Sequence, residues 1–395
     1  MSRKASIVVG LGYGDEGKGL ATDYLCSQSA RPLVIRFNGG QQAGHTVCMP
    51  DGRRHVFSSF GAGTLRGAAT YWSAYCTFSL PAMLNEYRAL SQIGAMPQLY
   101  LDRHCAVTTH YDVLYNRLQE QQRGNARHGS CGMGFGNTIQ RHEAGTQLTV
   151  QDLLKPEQCV QKLIFIRNYY KAKSQAELQL DFSEFEHEPE DARFMNYIET
   201  FGTLLNQYFY ITDEETILQS KQWETFVFEG AQGILLDMDF GRFPHVTRSY
   251  TTSRNALEII NRHKNLFSAC ELYYISRAYH TRHGEGPFNS AAYALQLTNN
   301  QQETNVVNEH QGNFRVGPLD LDQVRYALQV ENTISKGLPK NLILTCFDQL
   351  DETHLPCLDD NVLTITDSYK LPLLIGYPFE RVLNSRGPHA DCITT

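Results

Sequence analysis

One short segment limits the architectures open to this chain. An apolar run of β-formers, Ala5 to Val9, leads into Gly12-Tyr13-Gly14-Asp15-Glu16-Gly17-Lys18-Gly19, and helix-like spacing from Asp15 continues as far as Cys26. A strand that turns through glycines into a helix gathers backbone N–H groups at a helix N-terminus, where the dipole favours anions. Lys18 adds a point charge. The loop fits G-x-x-x-x-G-K, yet it has Gly19 where a Walker loop has Ser or Thr, so magnesium bound to phosphates needs another ligand. Asp15 is the natural candidate, because a carboxylate facing polyphosphate repels it unless a cation intervenes or the acid has a chemical task. Read alone, the segment also fits a plain glycine turn capped by Asp15.

A second strand-and-turn unit starts at Pro32 to Phe37 and breaks at Gly39-Gly40, and further apolar strands are expected at Thr225–Phe228, Leu272–Ile275 and Asn341–Cys346. Strands alternating with helices imply an α/β, P-loop-like fold with a large, mostly parallel central sheet flanked by helices. Val150 to Tyr170 is expected to be an exterior helix, and Lys173–Arg193 and Thr298–Thr304 read as surface segments. With no internal repeat and no clear boundary, residues 1–395 read as a single elaborated domain. A formal charge of −7 argues against a nucleic-acid partner, and no apolar run suits a membrane span or signal peptide, so a cytoplasmic protein is expected. The ten cysteines are scattered without a C-x-x-C pair, which predicts reduced thiols and no structural metal.

Arg36-Phe37-Asn38-Gly39-Gly40-Gln41-Gln42-Ala43-Gly44-His45-Thr46 places a histidine after a permissive glycine, within reach of a phosphate held by the first loop. Together the two segments resemble the adenylosuccinate synthetase family, whose opening reads G-x-x-W-G-D-E-G-K-G-K followed by G-G-x-N-A-G-H-T. The resemblance continues in order through Gly129-Ser130-Cys131-Gly132-Met133-Gly134-Phe135-Gly136, Phe228-Glu229-Gly230-Ala231-Gln232-Gly233 and Pro244-His245-Val246-Thr247. It then runs through Ala278-Tyr279-His280-Thr281-Arg282, Gly317 with Leu319-Asp320, Thr345 with Asp348, and Gly387-Pro388.

What the resemblance implies is a ligase that joins aspartate to inosine monophosphate with GTP and Mg2+, through a 6-phosphoryl intermediate, as a homodimer. Asp15 would remove the purine N1 proton and bind magnesium with the Gly44 carbonyl, and His45 would stabilise the transferring phosphoryl group. Gly14, Gly17, Lys18, Gly19, Gly44, His45 and Thr46 would hold nucleotide phosphates. Asp348, with Gly387 and Pro388, would serve the guanine end. Gln42, Ser130, Cys131, Gln232 and Thr247 would face the acceptor nucleotide. In the family a neighbouring subunit supplies an arginine to the substrate, and Arg141 lies close to that position in sequence.

The acceptor half departs from the pattern. The family's amino-acid loop carries a run of arginines, whereas this chain has Asn308-Glu309-His310-Gln311-Gly312-Asn313-Phe314-Arg315, leaving Arg315 alone to meet a carboxylate. Gln42, Met133, Leu20 and Arg277 are further departures. Three readings follow: an IMP-type synthetase; a paralogue of the same fold with another amine or purine, such as one making 2-aminoadenylosuccinate from dGMP; and a non-catalytic nucleotide-binding regulator. Retention of Asp15 favours the first over the dGMP branch, in which that loop aspartate is replaced by a smaller residue.

Overall fold

The computed structural model describes residues 3–124, 129–182, 187–298, 303 and 313–395. Its centre is a ten-stranded sheet that runs, edge to edge, Ile393–Thr394, Arg381–Ser385, Lys340–Thr345, Ala269–Arg277, Lys4–Gly10, Thr225–Gly233, Pro32–Arg36, Ala69–Trp72, Leu99–Asp102 and Phe209–Thr212. Every neighbouring pair is parallel except the last two strands of the chain. Strands buried on both faces need continuous apolar runs, which Ile7-Val8-Val9 and Leu342-Ile343-Leu344 supply, all without solvent exposure. The first strand lies in the middle of the sheet, and the chain leaves its carboxyl end between two parallel neighbours, where open α/β sheets bind their ligands.

Each expected strand is present: Thr225–Phe228 extends to Gly233 and Leu272–Ile275 to Ala269–Arg277, while Pro32–Phe37 stops at Arg36 and Asn341–Cys346 is shifted to Lys340–Thr345. The helix expected from Asp15 starts instead at Lys18. Its N-cap, Gly17, adopts a left-handed φ of 95°, which stops the helix from extending back to Asp15. Gly19 is needed for a different reason: a Cβ there would stand 2.9 Å from the Thr46 carbonyl, so only glycine lets this helix close on the strand His45–Cys48.

Helices Leu80–Gln92, His110–Arg123, Pro156–Glu177 and His187–Leu204 gather around a second apolar cluster beside the sheet. The stretch from Val150 to Tyr170 is not wholly exterior as expected. Leu163, Ile166 and Tyr170 are buried in this cluster, while Val160, Ile164 and Phe165 on the opposite side are exposed. Apolar residues on both sides of the helix hide which one packs, and tertiary contact decides it. A capping box starts the helix at His110, with the Asp112 carboxylate accepting from the Thr109 N–H and hydroxyl, both at 2.7 Å. No described helix is long and apolar enough to cross a membrane.

Candidate active site

The glycine loop is tied together by one carboxylate. Glu16 Oε1 accepts from the N–H groups of Gly12 (3.0 Å) and Gly14 (2.7 Å), and its Oε2 pairs with Lys18 Nζ at 2.8 Å. Lys18 also donates to the Gly14 carbonyl at 2.7 Å, which leaves one of its three protons for a ligand. Adjacent strand ends hold the same loop from outside: the Thr345 hydroxyl donates to the Glu16 carbonyl at 2.8 Å, and Arg277 Nε to the Asp15 carbonyl.

A cavity of about 500 Å³ opens over this loop, lined by Gly14, Gly17, Lys18, Gly19, Gly44, His45, Thr46, Asp348, Gly387 and Pro388. A second, of about 690 Å³, is lined by Gln42, Ser130, Cys131, Gln232 and Thr247 together with Tyr13 and Arg282. Gly14, Asp15, Gly44 and His45 line both. The Asp15 carboxylate accepts no hydrogen bond from a described residue. Burial holds its pKa above the ordinary carboxylate value, the Arg277 charge pulls it down, and Glu16 pushes it up again.

His45 is buried with Nδ1 2.6 Å from Glu229 Oε1, and its Nε2 has no partner among the described residues. Burial favours the neutral ring against the pull of Glu229, so Nδ1–H donates to the carboxylate and the Nε2 lone pair stays free. Glu229 stays ionised despite its burial, through His45 and Arg36, and accepts from the Ala62 N–H at 3.1 Å. Backbone strain collects here too, since Gln232 and Cys346, at φ of 61° and 64°, are non-glycine residues in the left-handed region and both line a cavity.

The family model for adenylosuccinate synthetase matches residues 7–356. The chain belongs to the adenylosuccinate synthetase family. It is 29% identical over 360 residues to the adenylosuccinate synthetase of Pelodictyon phaeoclathratiforme, covering 88% of this chain and 79% of that one. Its identity to the Chlorobium phaeobacteroides enzyme is 30% over 357 residues, with the same coverage. Among solved structures it is similar to fully ligated adenylosuccinate synthetase from Plasmodium falciparum, with TM-score 0.77, 17% identity and 98% of each chain covered. It is also similar to cyanophage S-2L succinoaminodeoxyadenylate synthetase bound to dGMP and dATP as an energy donor, with TM-score 0.65, 15% identity and coverage of 100% and 95%. The family is one of carbon–nitrogen ligases.

Membership in adenylosuccinate synthetases frames the residues that sequence reasoning placed. All ten residues assigned to the nucleotide line the first cavity, and five of the six assigned to the acceptor line the second. Arg315 lines neither; its guanidinium donates to the Gly284 carbonyl and lies 5.4 Å from the centre of the Phe288 ring. The preceding loop residues Asn308 to Gly312 lie outside the described residues. Arg141 is fully buried, donating to Asp112 (2.8 and 3.1 Å), Thr146 O (2.7 Å) and Val107 O (2.9 Å), so it is committed within its own chain.

Three contributors were not singled out from sequence. Glu16 and Glu229 stood inside quoted motifs, but only the fold shows what their carboxylates hold. Arg282 lines the acceptor cavity 4.3 Å from the centre of the Tyr13 ring, with its N–H groups on the carbonyls of Glu285 (3.0 Å) and Pro287 (2.9 Å). Its signal was the A-Y-x-T-R motif.

Proposed function

We propose that this protein is a GTP-dependent ligase that phosphorylates the 6-oxo group of a purine nucleoside monophosphate and then replaces that phosphate with the amine of aspartate. The observation that carries the reading is the meeting of two nucleotide-sized cavities at one unbonded carboxylate and one oriented imidazole. A donor polyphosphate over the glycine loop and an acceptor beside Gln232 would bring γ-phosphate and purine together at Asp15 and His45. Two separate cavities sharing a reactive pair suit transfer between two ligands better than hydrolysis of one.

In the first step Asp15 takes the N1 proton as the 6-oxygen attacks the γ-phosphorus, the bridging P–O bond breaks, and GDP leaves. The loop amides and Lys18 hold the donor phosphates. His45, held by Glu229, turns Nε2 toward the moving phosphoryl group, where a proton taken up on Nε2, with Glu229 as its counter-charge, lets it donate to a phosphoryl oxygen. In the second step the amine nitrogen bonds C6, the C6–O bond breaks, inorganic phosphate departs, and the nitrogen loses a proton. Magnesium fits this set, because it takes oxygen ligands and the Asp15 carboxylate has no other described bond. Asp15 and the Gly44 carbonyl would hold it, and once bound it neutralises charge on the phosphates. Asp348 in the donor cavity supports guanine, whose N1–H and N2–H donors would meet its carboxylate. A homodimer working in the cytoplasm is the setting that the family likeness suggests.

Retained Asp15 supports IMP over dGMP as acceptor, since a 2-amino group would have to share its space. The test is phosphate release from GTP and magnesium with IMP or dGMP, with and without aspartate, and again with ATP. Aspartate-dependent release with IMP supports the proposal. Release confined to dGMP with ATP would assign the chain to the other branch, and GTP binding without release under any combination would leave a regulator.

A further inference from the structure

Two parallel strands end side by side at the carboxyl edge of the sheet, in Arg36 and Trp72, and Glu229 of the neighbouring strand Thr225–Gly233 continues their row. Glu229 pairs in register with Arg36, and Arg36 with Trp72, so the three side chains leave the same face. His45 extends the row, bonded to Glu229 at 2.6 Å. At its far end, the Trp72 indole is pinned by a 3.1 Å bond to the Thr77 carbonyl, and the Arg36 guanidinium sits 5.0 Å from the centre of its ring.

Arg36 itself is anomalous. It is fully buried, and Nε and both Nη atoms have no hydrogen-bond partner among the described residues. A guanidinium offers five donors, and burying it without acceptors is costly, so hydrogen bonding within the fold does not explain it. It lines neither cavity. What remains is its charge: beside it stands Glu229, a buried carboxylate committed to His45 and the Ala62 N–H. The groups facing His45 are Glu229, Arg36, Lys18 and, across the cavities, Asp15.

We propose that Arg36 is a positioning residue for phosphoryl transfer, its buried charge on the Trp72 platform fixing the Glu229 carboxylate and, through it, the orientation of the His45 ring. The proposal rests on the transfer reaction proposed above for its kinetic readout but not for its spectroscopic one. A packing residue and a charged positioning residue predict opposite results when Arg36 is replaced by Met, which keeps the length and removes the charge. Packing alone makes Arg36→Met less stable with no selective effect on rate. Positioning makes the variant lose rate and disturbs the His45 ring whatever its stability, because Met removes the cation that faces the buried Glu229 as well as an unsatisfied guanidinium.

The experiment compares wild type, Arg36→Met and Arg36→Lys by thermal melting, by kcat and KM for GTP, and by 15N NMR of His45 in the ligand-free protein. The expected result is an Arg36→Met variant with kcat down roughly ten- to a hundredfold, KM for GTP unchanged and altered His45 ring signals. Arg36→Lys restores most of kcat and the wild-type signals. An Arg36→Met variant with wild-type kcat and unchanged His45 signals overturns the proposal. So does a variant that melts lower while Arg36→Lys rescues nothing. If wild type turns over no purine monophosphate, the transfer reading fails, and the His45 spectra of the variants still decide the role of Arg36.

Discussion

Beneath the donor cavity a single carboxylate, Glu16, takes two loop N–H groups and the lysine, whereas in the acceptor cavity Gln42 keeps both polar atoms of its amide, and Gln232 its carbonyl oxygen, without a partner among the described residues. The difference teaches which half is complete before anything binds. Catalytic electrostatics are strongest when they need no rearrangement at the moment of reaction, and the phosphoryl-transfer half meets that condition. The acceptor half is a set of orphaned amides at the wall of a cavity, groups whose hydrogen bonds a ligand would supply.

The comparison breaks first at Asp15. Asp15→Ala should lower kcat by about a thousandfold or more while GTP still binds, checked by phosphate release beside calorimetry. Because burial holds Asp15 above its ordinary value of 3.8, the wild-type rate should be lost on acidification at a pH above that value. Arg277→Met, which removes the cation that lowers Asp15, should move this limb further up.

Glu16→Gln should destabilise the fold by about 3 kcal/mol in chemical denaturation, since it leaves Lys18 a buried, unpaired cation. Wild-type-like stability would mean that the loop does not depend on that carboxylate. On the acceptor side, His142 follows the glycine-rich segment and accepts the Leu148 N–H through Nε2 at 3.3 Å. Burial pushes it down to about 4 from 6.5. A folded value below the unfolded one means that its stability contribution is full above pH 6.5 and is lost as pH falls from there toward 4. Since the ring is partly exposed, about 1–2 kcal/mol should disappear across that window, and His142→Asn should flatten the loss in denaturation curves taken at several pH values.

Smaller effects sharpen the contrast. Gln232→Leu should raise KM for the purine monophosphate about tenfold and leave GTP affinity alone, as expected for an amide that only the acceptor satisfies. Arg315→Ala should change KM for aspartate by less than about threefold, because the guanidinium is bonded to Gly284 and lies outside the cavity. A large rise there would return Arg315 to the role that its sequence position suggested.

The donor half was legible in sequence because its chemistry is local. One strand, one glycine loop and one Gly-His-Thr carry the contacts within 46 residues, and all the residues assigned from them fall on the cavity. Even so, the helix start was misplaced, since Asp15 and Glu16 look like ordinary first-turn acids until Glu16 is seen folded back onto Gly12. Arg315 misled for the opposite reason. Its partner depends on pairing of Phe314–Asp320 with Tyr279–His283, a register that no local pattern encodes. The committed state of Arg141 also depends on a long-range partner, Asp112, from another helix.

The most direct test of a donor half complete without the amine is positional isotope exchange. GTP carrying 18O in the β,γ-bridge would be incubated with magnesium and IMP, aspartate being left out. The account predicts that the bridging label scrambles into the β-phosphate only when IMP is present, and that Asp15→Ala stops it. Retention of the label in the bridge while GTP and IMP are both bound would contradict it.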